Sequence, residues 1–181
     1  YTSEIGYTYG CYRELSPFYQ KYALTLAGFE ISEKPINRFL ELGVGQGLSS
    51  VIHAATSGGE YCGNDFNPSQ IGQAQVLASK TELNCHLTDQ SFEEMAYDED
   101  LPKFDNISLH GVWSWVSERN QGFITRLLAQ NLEVGGSAYL SYNVTPGWSP
   151  VVPIRALMTQ IVERATTEVE GINSRIATAI D

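Results

Sequence analysis

The sequence lacks most of the features that would take it outside ordinary single-domain proteins. Its 181 residues hold three cysteines, Cys11, Cys62 and Cys85, in no CxxC spacing. Neither a disulfide framework nor a zinc site is indicated, and a reducing, cytoplasmic compartment is the natural reading. No apolar run approaches the roughly 20 residues that span a bilayer, and no basic stretch leads into an apolar core as in a signal peptide. Positive charge is scarce, with 11 Lys and Arg against 21 Asp and Glu and a formal net charge of −10. The basic residues are scattered singly, which argues against a nucleic-acid backbone as partner. No repeat or low-complexity tract is present, and no His/Cys/Asp cluster suggests a metal. The hydrophobic fraction of 43% supports a core that buries roughly 70% of the unfolded surface, which excludes disorder. The chain starts at Tyr1 without a methionine and stops at Asp181 within a helical pattern, so a fragment of a longer protein is the expectation.

Periodicity organises the rest. Six of the ten tyrosines, Tyr1, Tyr7, Tyr9, Tyr12, Tyr19 and Tyr22, fall in the first 22 residues, and the pattern turns helical from Ser16-Pro17. Arg38–Leu42 is a short apolar strand that ends in a glycine cluster. Leu48, Val51, Ile52 and Ala55 then fall at helical spacing, and Gly58-Gly59 closes that helix. Tyr61–Asp65 reads as a second strand. Asn67-Pro68 starts a helix, with asparagine as cap and proline in the first turn, and Ile71, Ala74 and Ala78 form its apolar face. Cys85–Thr88 is a third strand, followed by an acidic connection from Glu93 to Asp105. Asn106–His110, a helix from Ser117 to Asn131 and a strand Ala138–Tyr142 follow. The last helical stretch, from Ile154 to Val169, carries Leu157, Met158, Ile161, Val162 and Ala165 on a face suited to packing. Strands alternating with helices at this spacing predict an α/β fold with a doubly wound, mainly parallel sheet.

In such a sheet, ligands bind beyond the carboxyl ends of the strands at the switch point. Glu41-Leu42-Gly43-Val44-Gly45-Gln46-Gly47 sits there, and glycines let a ligand approach the backbone closely. A dinucleotide fingerprint would need glycine at position 48, which is leucine. Asp65 at the end of the second strand is placed to accept hydrogen bonds from ribose hydroxyls, and Asp89 at the end of the third to accept an adenine amino group. Each acid alone also reads as a turn residue; three at successive strand ends are harder to dismiss.

Together these segments resemble the class I S-adenosylmethionine-dependent methyltransferases, over roughly Arg38 to Tyr142. The matching stretches are Glu41–Gly47, Gly63-Asn64-Asp65-Phe66-Asn67-Pro68 and Leu87-Thr88-Asp89-Gln90-Ser91-Phe92. His110-Gly111-Val112-Trp113-Ser114-Trp115-Val116 and the segment from Ser141 to Trp148 are similar to a narrower bacterial group. That group carries a methyltransferase regulatory domain after the catalytic one and includes rickettsial protein-lysine methyltransferases. The resemblance implies a Rossmann-like methyltransferase fold and S-adenosylmethionine as cofactor. Gly43, Gly45 and Gly47 would pass under its methionine part, Asp65 would hold the ribose and Phe66 would lie against adenine. Asp89 would take the adenine amino group, with Gln90, Ser91 and Phe92 bordering the ring, and His110 and Gly111 would flank the reacting methyl. Such folds finish with two more strands, for which no convincing pair follows Asn143.

Methyl transfer asks the protein mainly to position the nucleophile and to remove a proton. His110 is the best-placed base; a hydrogen-bonded strand-end histidine is the plainer reading. His53 and His86 read as helix-surface and strand residues. Trp113, Trp115, Tyr142 and Trp148 suit either an acceptor pocket or core packing, and Tyr9 and Tyr12 are candidates for a lid. The expected organisation is a cap at 1–36, a cofactor-binding core at 37–145 and a helical segment at 146–181. The expected function is transfer of a methyl group to a protein or small-molecule acceptor, with neither nucleic acid nor membrane as partner. A nicotinamide-dependent oxidoreductase, which Leu48 disfavours, and a non-catalytic binding module are the alternatives.

Overall fold

A computed structural model describes residues 9–31, 37–164 and 171–180; Tyr1, Tyr7 and Ala165, singled out above, lie outside them. In chain order the elements are α1 (Pro17–Leu26), β1 (Arg38–Leu42), α2 (Leu48–Ser57), β2 (Glu60–Asn64), α3 (Pro68–Ser79), β3 (Cys85–Thr88), α4 (Phe92–Ala96), β4 (Phe104–Leu109), α5 (Glu118–Asn131), β5 (Leu132–Leu140), α6 (Val152–Arg164) and α7 (Ile172–Ile180). The five strands pair in the order β3-β2-β1-β4-β5, all in parallel. This is the doubly wound α/β sheet that the alternation predicts.

The two sheet faces differ in chemistry. Leu40 and Leu42 of β1 and Ile107 and Leu109 of β4 pack with Phe92 and Met95 of α4 and Ile124 and Leu127 of α5 into one apolar cluster. The opposite side is shared by apolar and polar groups. Val44, Val51, Ile71, Ala74 and Leu87 form a second cluster. Beside them, Gln20 of α1 donates to Ser108 Oγ at 3.0 Å and accepts from Asn106 Nδ2 at 2.7 Å, and Asn106 also donates to Ser137 Oγ at 2.9 Å. Buried amides are tolerated when each is paired in this way, and this seam docks α1 onto β4.

Several elements differ from their expected bounds. β4 starts two residues earlier than expected and ends before His110, which leaves that histidine in the loop. β5 follows α5 directly at Leu132, with a register irregularity opposite Phe104 and Asn106. The acidic connection contains α4, started by a capping box in which Ser91 and Glu94 bond reciprocally. His53 is buried rather than on the helix surface, because the segment before α1 covers α2 and its Nε2 meets the Tyr12 carbonyl at 2.8 Å. Of the α2 residues at helical spacing, Val51 is buried while Ile52 and Ala55 are exposed.

One compact unit runs to Tyr142, and a second begins at Asn143. In the second, α6 and α7 lie against each other. Its expected packing face is open, with Leu157 and Ile161 exposed and no residue of α6 buried.

The glycine loop between β1 and α2 yields a stability test. Gly45 and Gly47 have φ of 56° and 73°, where an L side chain costs about 1–2 kcal/mol. A Cβ on Gly47 would lie 2.5 Å from Ala74 Cβ, whereas one on Gly45 meets only Gln70 Oε1 at 3.5 Å. Gly47→Ala is therefore expected to destabilise by at least about 1 kcal/mol more than Gly45→Ala, read from urea unfolding midpoints; equal losses would contradict the packing described.

Candidate functional site

The carboxyl ends of β1 to β4 carry the loop 43–47, Asp65, Asp89 and His110 in that order. The parallel register makes them neighbours: Leu42 lies beside Asn64 on one side and Leu109 on the other, and Asn64 beside Thr88. Two side chains lock the arrangement. Asp65 Oδ2 accepts the Gly45 amide and its Oδ1 the Asn67 amide, each at 2.9 Å. Asn64 donates through Nδ2 to the Gln90 carbonyl at 2.8 Å and accepts the Gly43 amide through Oδ1 at 3.3 Å, while its backbone carbonyl accepts the Gly43 and Val44 amides, both at 2.9 Å. Burial pushes the Asp65 carboxyl up and the two amides pull it partly back. Asn64 had no distinguishing pattern in the sequence; it stands out only once β1 and β3 flank it.

The three glycines divide by what they face. On Gly43 a Cβ would strike Val112 Cγ2 at 2.6 Å, and on Gly47 it would strike Ala74. At those two positions the absence of a Cβ makes room for protein side chains. Gly45 faces open space apart from Gln70 Oε1. That oxygen is buried and has no hydrogen-bond partner among the described residues, as is Gln46 Oε1 next to Gly45. A cradle that a Cβ would fill, bordered by orphaned acceptors, is what a polar ligand over Gly45 needs.

Beyond the loop, Phe66 is 49% exposed and Asp89 is exposed directly after β3. This leaves an aromatic face and a carboxylate at adjacent strand ends. Ser91 is engaged as the α4 cap, and its Oγ donates to Glu94 Oε2 at 2.8 Å. Phe92 points into the apolar cluster and is buried; its position in the first turn of α4 turns it to the core, so only its backbone remains to border a ring. Glu41 is buried and accepts from Ser50 Oγ at 2.7 Å. It therefore lies under the loop rather than in it, and burial raises its pKa to about 7 against the lowering by Ser50.

At the end of β4, Tyr12 stacks on His110 with ring centroids 4.5 Å apart. Tyr12 is held by its amide to Ser49 Oγ at 3.0 Å and by its carbonyl to His53. Tyr9 is exposed. Gly111 donates to Ser141 Oγ at 2.7 Å. Burial lowers the His110 pKa, and the Glu14 carboxylate works against that. Trp113 packs against the apolar cluster, while Trp115 and Tyr142 are exposed. Trp148 belongs to the second unit. Among the described residues no group of His, Cys, Asp or Glu could hold a metal ion, and no helix is long and apolar enough to cross a membrane. A cleft of about 680 Å³ lies at the opposite, amino end of the strands, lined by Lys21, Phe29, Arg38, Lys103 and Glu133 among others, away from all of these groups.

Comparison with known proteins agrees with this geometry. Residues 39–136 match the family model of a methyltransferase domain. A Synechocystis protein, sll1526, is 41% identical over 185 residues, covering 100% of this chain and 36% of its own length. The Rickettsia prowazekii protein RP789 is 32% identical over 162 residues, covering 86% of this chain and 28% of its own. The structure of PKMT2 from Rickettsia typhi in complex with AdoHcy superposes with a TM-score of 0.76 at 28% identity, covering 88% of this chain and 31% of that one. The plantazolicin methyltransferase BpumL in complex with SAH, at 12% identity and a TM-score of 0.55 over 92% of this chain and 55% of that one, shares the fold. The chain spans about a third of the length of the first three.

The buried Glu41 gives a pH prediction. Its folded pKa of about 7 lies above the ordinary 4.5, so its neutral form favours folding below pH 4.5 and that contribution is lost as pH rises through about 7. Glu41→Gln, which keeps an acceptor for Ser50, should exceed the parent in stability by up to about 3 kcal/mol near pH 8, with the gap closing toward pH 5. Urea unfolding at the two pH values checks this; a gap independent of pH would contradict it.

Proposed function

The chain belongs to the class I S-adenosylmethionine-dependent methyltransferases, and from that premise we propose that it methylates a protein or small-molecule acceptor presented at the carboxyl end of β4. The observation that carries the reading is the open side of Gly45 on a loop locked by Asp65. When bound, S-adenosylmethionine supplies a sulfonium-activated methyl group, and S-adenosylhomocysteine is the product.

In this reading Gly45 admits the methionine part, with the Gln70 and Gln46 amide oxygens beside it. Each Asp65 oxygen accepts one backbone amide and keeps a second lone pair for a ribose hydroxyl. Phe66 and Asp89 serve the adenine, Phe66 by its exposed ring face and Asp89 by accepting from the amino group. Gly43, Gly47 and Glu41 act from behind by shaping the loop, and Asn64 fixes Gln90 against it. His110 and Gly111 border the transfer. Burial lowers the His110 pKa against the pull of Glu14, which favours the neutral ring that can take the acceptor's proton, and Tyr12 walls its ring. The bonding of Tyr12 to Ser49 and His53 makes it a fixed wall rather than a swinging lid. The acidic charge and the single cysteines support a cytoplasmic protein that engages neither nucleic acid nor membrane. The resemblance to the bacterial group supports a regulatory domain elsewhere in the full-length protein.

Calorimetry with S-adenosylhomocysteine tests the reading. The parent chain should bind it and not NAD. Gly45→Val should abolish binding, since its side chain occupies the cradle, and Asp65→Ala should weaken it at least about tenfold by losing charge-assisted bonds and freeing two loop amides. Normal binding by Gly45→Val would remove the loop from the site.

A further inference from the structure

We propose that Tyr139 is a positioning residue for His110: its phenol oxygen accepts the Nδ1–H of the imidazole and leaves Nε2 as the nitrogen that takes the proton. The inference rests on the methyltransferase reading for its purpose, and on a closed set of contacts for its geometry.

His110 Nδ1 lies 3.3 Å from Tyr139 Oη. The two rings are nearly parallel, 6° apart with centroids 6.1 Å apart, and Tyr12 stacks on the imidazole from its own side of the site. The direction follows from the role: only a ring protonated at Nδ1 leaves Nε2 with the lone pair that takes a proton. The Gly111 backbone is a fixed donor to Ser141 Oγ, which leaves the Ser141 hydroxyl proton to be donated elsewhere. Beside Tyr139, that hydroxyl works to lower the phenol pKa against burial and the Glu14 carboxylate, which raise it. The phenol oxygen has a lone pair for the imidazole N–H and room to turn its own proton outward, where Tyr139 is only half-buried. A histidine's second nitrogen is commonly fixed by what the first one bonds.

The other charged groups facing this ring are on the segment before α1. Glu14 acts on both His110 and Tyr139, and Arg13 pairs with Glu14 at 3.3 Å. In the transfer, the acceptor's bond to the methyl carbon forms as the carbon–sulfur bond breaks. The acceptor's proton passes to Nε2, and the resulting imidazolium keeps its Nδ1–H on Tyr139 with the Glu14 carboxylate as counter-charge.

Nitrogen-15 spectroscopy of the histidine rings, on this chain alone and saturated with S-adenosylhomocysteine, reads the tautomer directly. Above its pKa His110 should be protonated at Nδ1. Tyr139→Phe should shift it toward the Nε2–H form that imidazole prefers in water, while affinity for S-adenosylhomocysteine stays within about twofold of the parent. An Nε2–H tautomer in the parent chain, or an unchanged tautomer in Tyr139→Phe, would overturn the proposal, and the parent result alone decides it should the variant not fold. Failure of the parent to bind S-adenosylhomocysteine would instead overturn the cofactor reading, because the tautomer is measured independently of it.

Discussion

The Asp65 carboxylate is the tie on which the candidate site depends. A parallel sheet leaves its carboxyl-terminal loops unsupported by strand pairing, and a glycine-rich loop has more conformations to lose than any other. Asp65 removes that freedom by accepting Gly45 with one oxygen and Asn67 with the other. The loop after β1 and the start of α3 are thereby held by one side chain. Asn64, one residue earlier, does the same between the β1 loop and Gln90. Two adjacent residues at the end of β2 thus register the ends of three strands. A cofactor meeting this surface finds its cradle already made, which is the condition under which binding loses least to ordering.

The polar face of the sheet has a related role. Gln20, Asn106, Ser108 and Ser137 are joined by hydrogen bonds between α1, β4 and β5. A purely apolar contact there would stabilise by area alone and tolerate sliding; paired amides fix one position, because any shift leaves a buried group unpaired. That matters for what α1 carries ahead of it. Tyr12 and Glu14 precede it by a few residues, and their place beside His110 follows from where Gln20 is anchored. Glu14 is tied in directly, since Gln20 Nε2 also donates to its carbonyl at 2.9 Å.

Much of this was legible in the sequence where the cause is local. β1 and β3 match their expected bounds, and α3 begins at the proline that follows its asparagine cap, because strand alternation and capping act within a few residues. The Ser91–Glu94 capping box of α4 was equally local and went unread beneath the acidic composition around it. What could not be read arises from contacts distant in sequence. His53 is buried because Tyr12, 41 positions earlier, crosses α2. Gly43 leaves room for Val112 and Gly47 for Ala74, packing demands that come from residues far along the chain and that the glycine pattern alone does not reveal. Phe92 sits beside the expected adenine position in sequence, yet the helix it begins turns it into the core.

In the proposed role of His110 as base, a tyrosine beside it suits what the base must do. A carboxylate in contact with an imidazole favours the charged ring and raises its pKa, and a ring already protonated cannot take the acceptor's proton. A phenol orients the imidazole with little net charge, so burial remains free to lower its pKa. The carboxylate in the neighbourhood, Glu14, is more exposed and is paired with Arg13, so solvent and the guanidinium moderate its pull. In the proposed role, the arrangement favours a neutral histidine before transfer and offers it a counter-charge afterwards. The sequence positions that achieve this, Tyr12, Glu14, His110, Tyr139 and Ser141, come from three separate stretches of the chain. They converge because β4 and β5 are neighbours in the sheet and because Gln20 brings the amino-terminal segment to the end of β4.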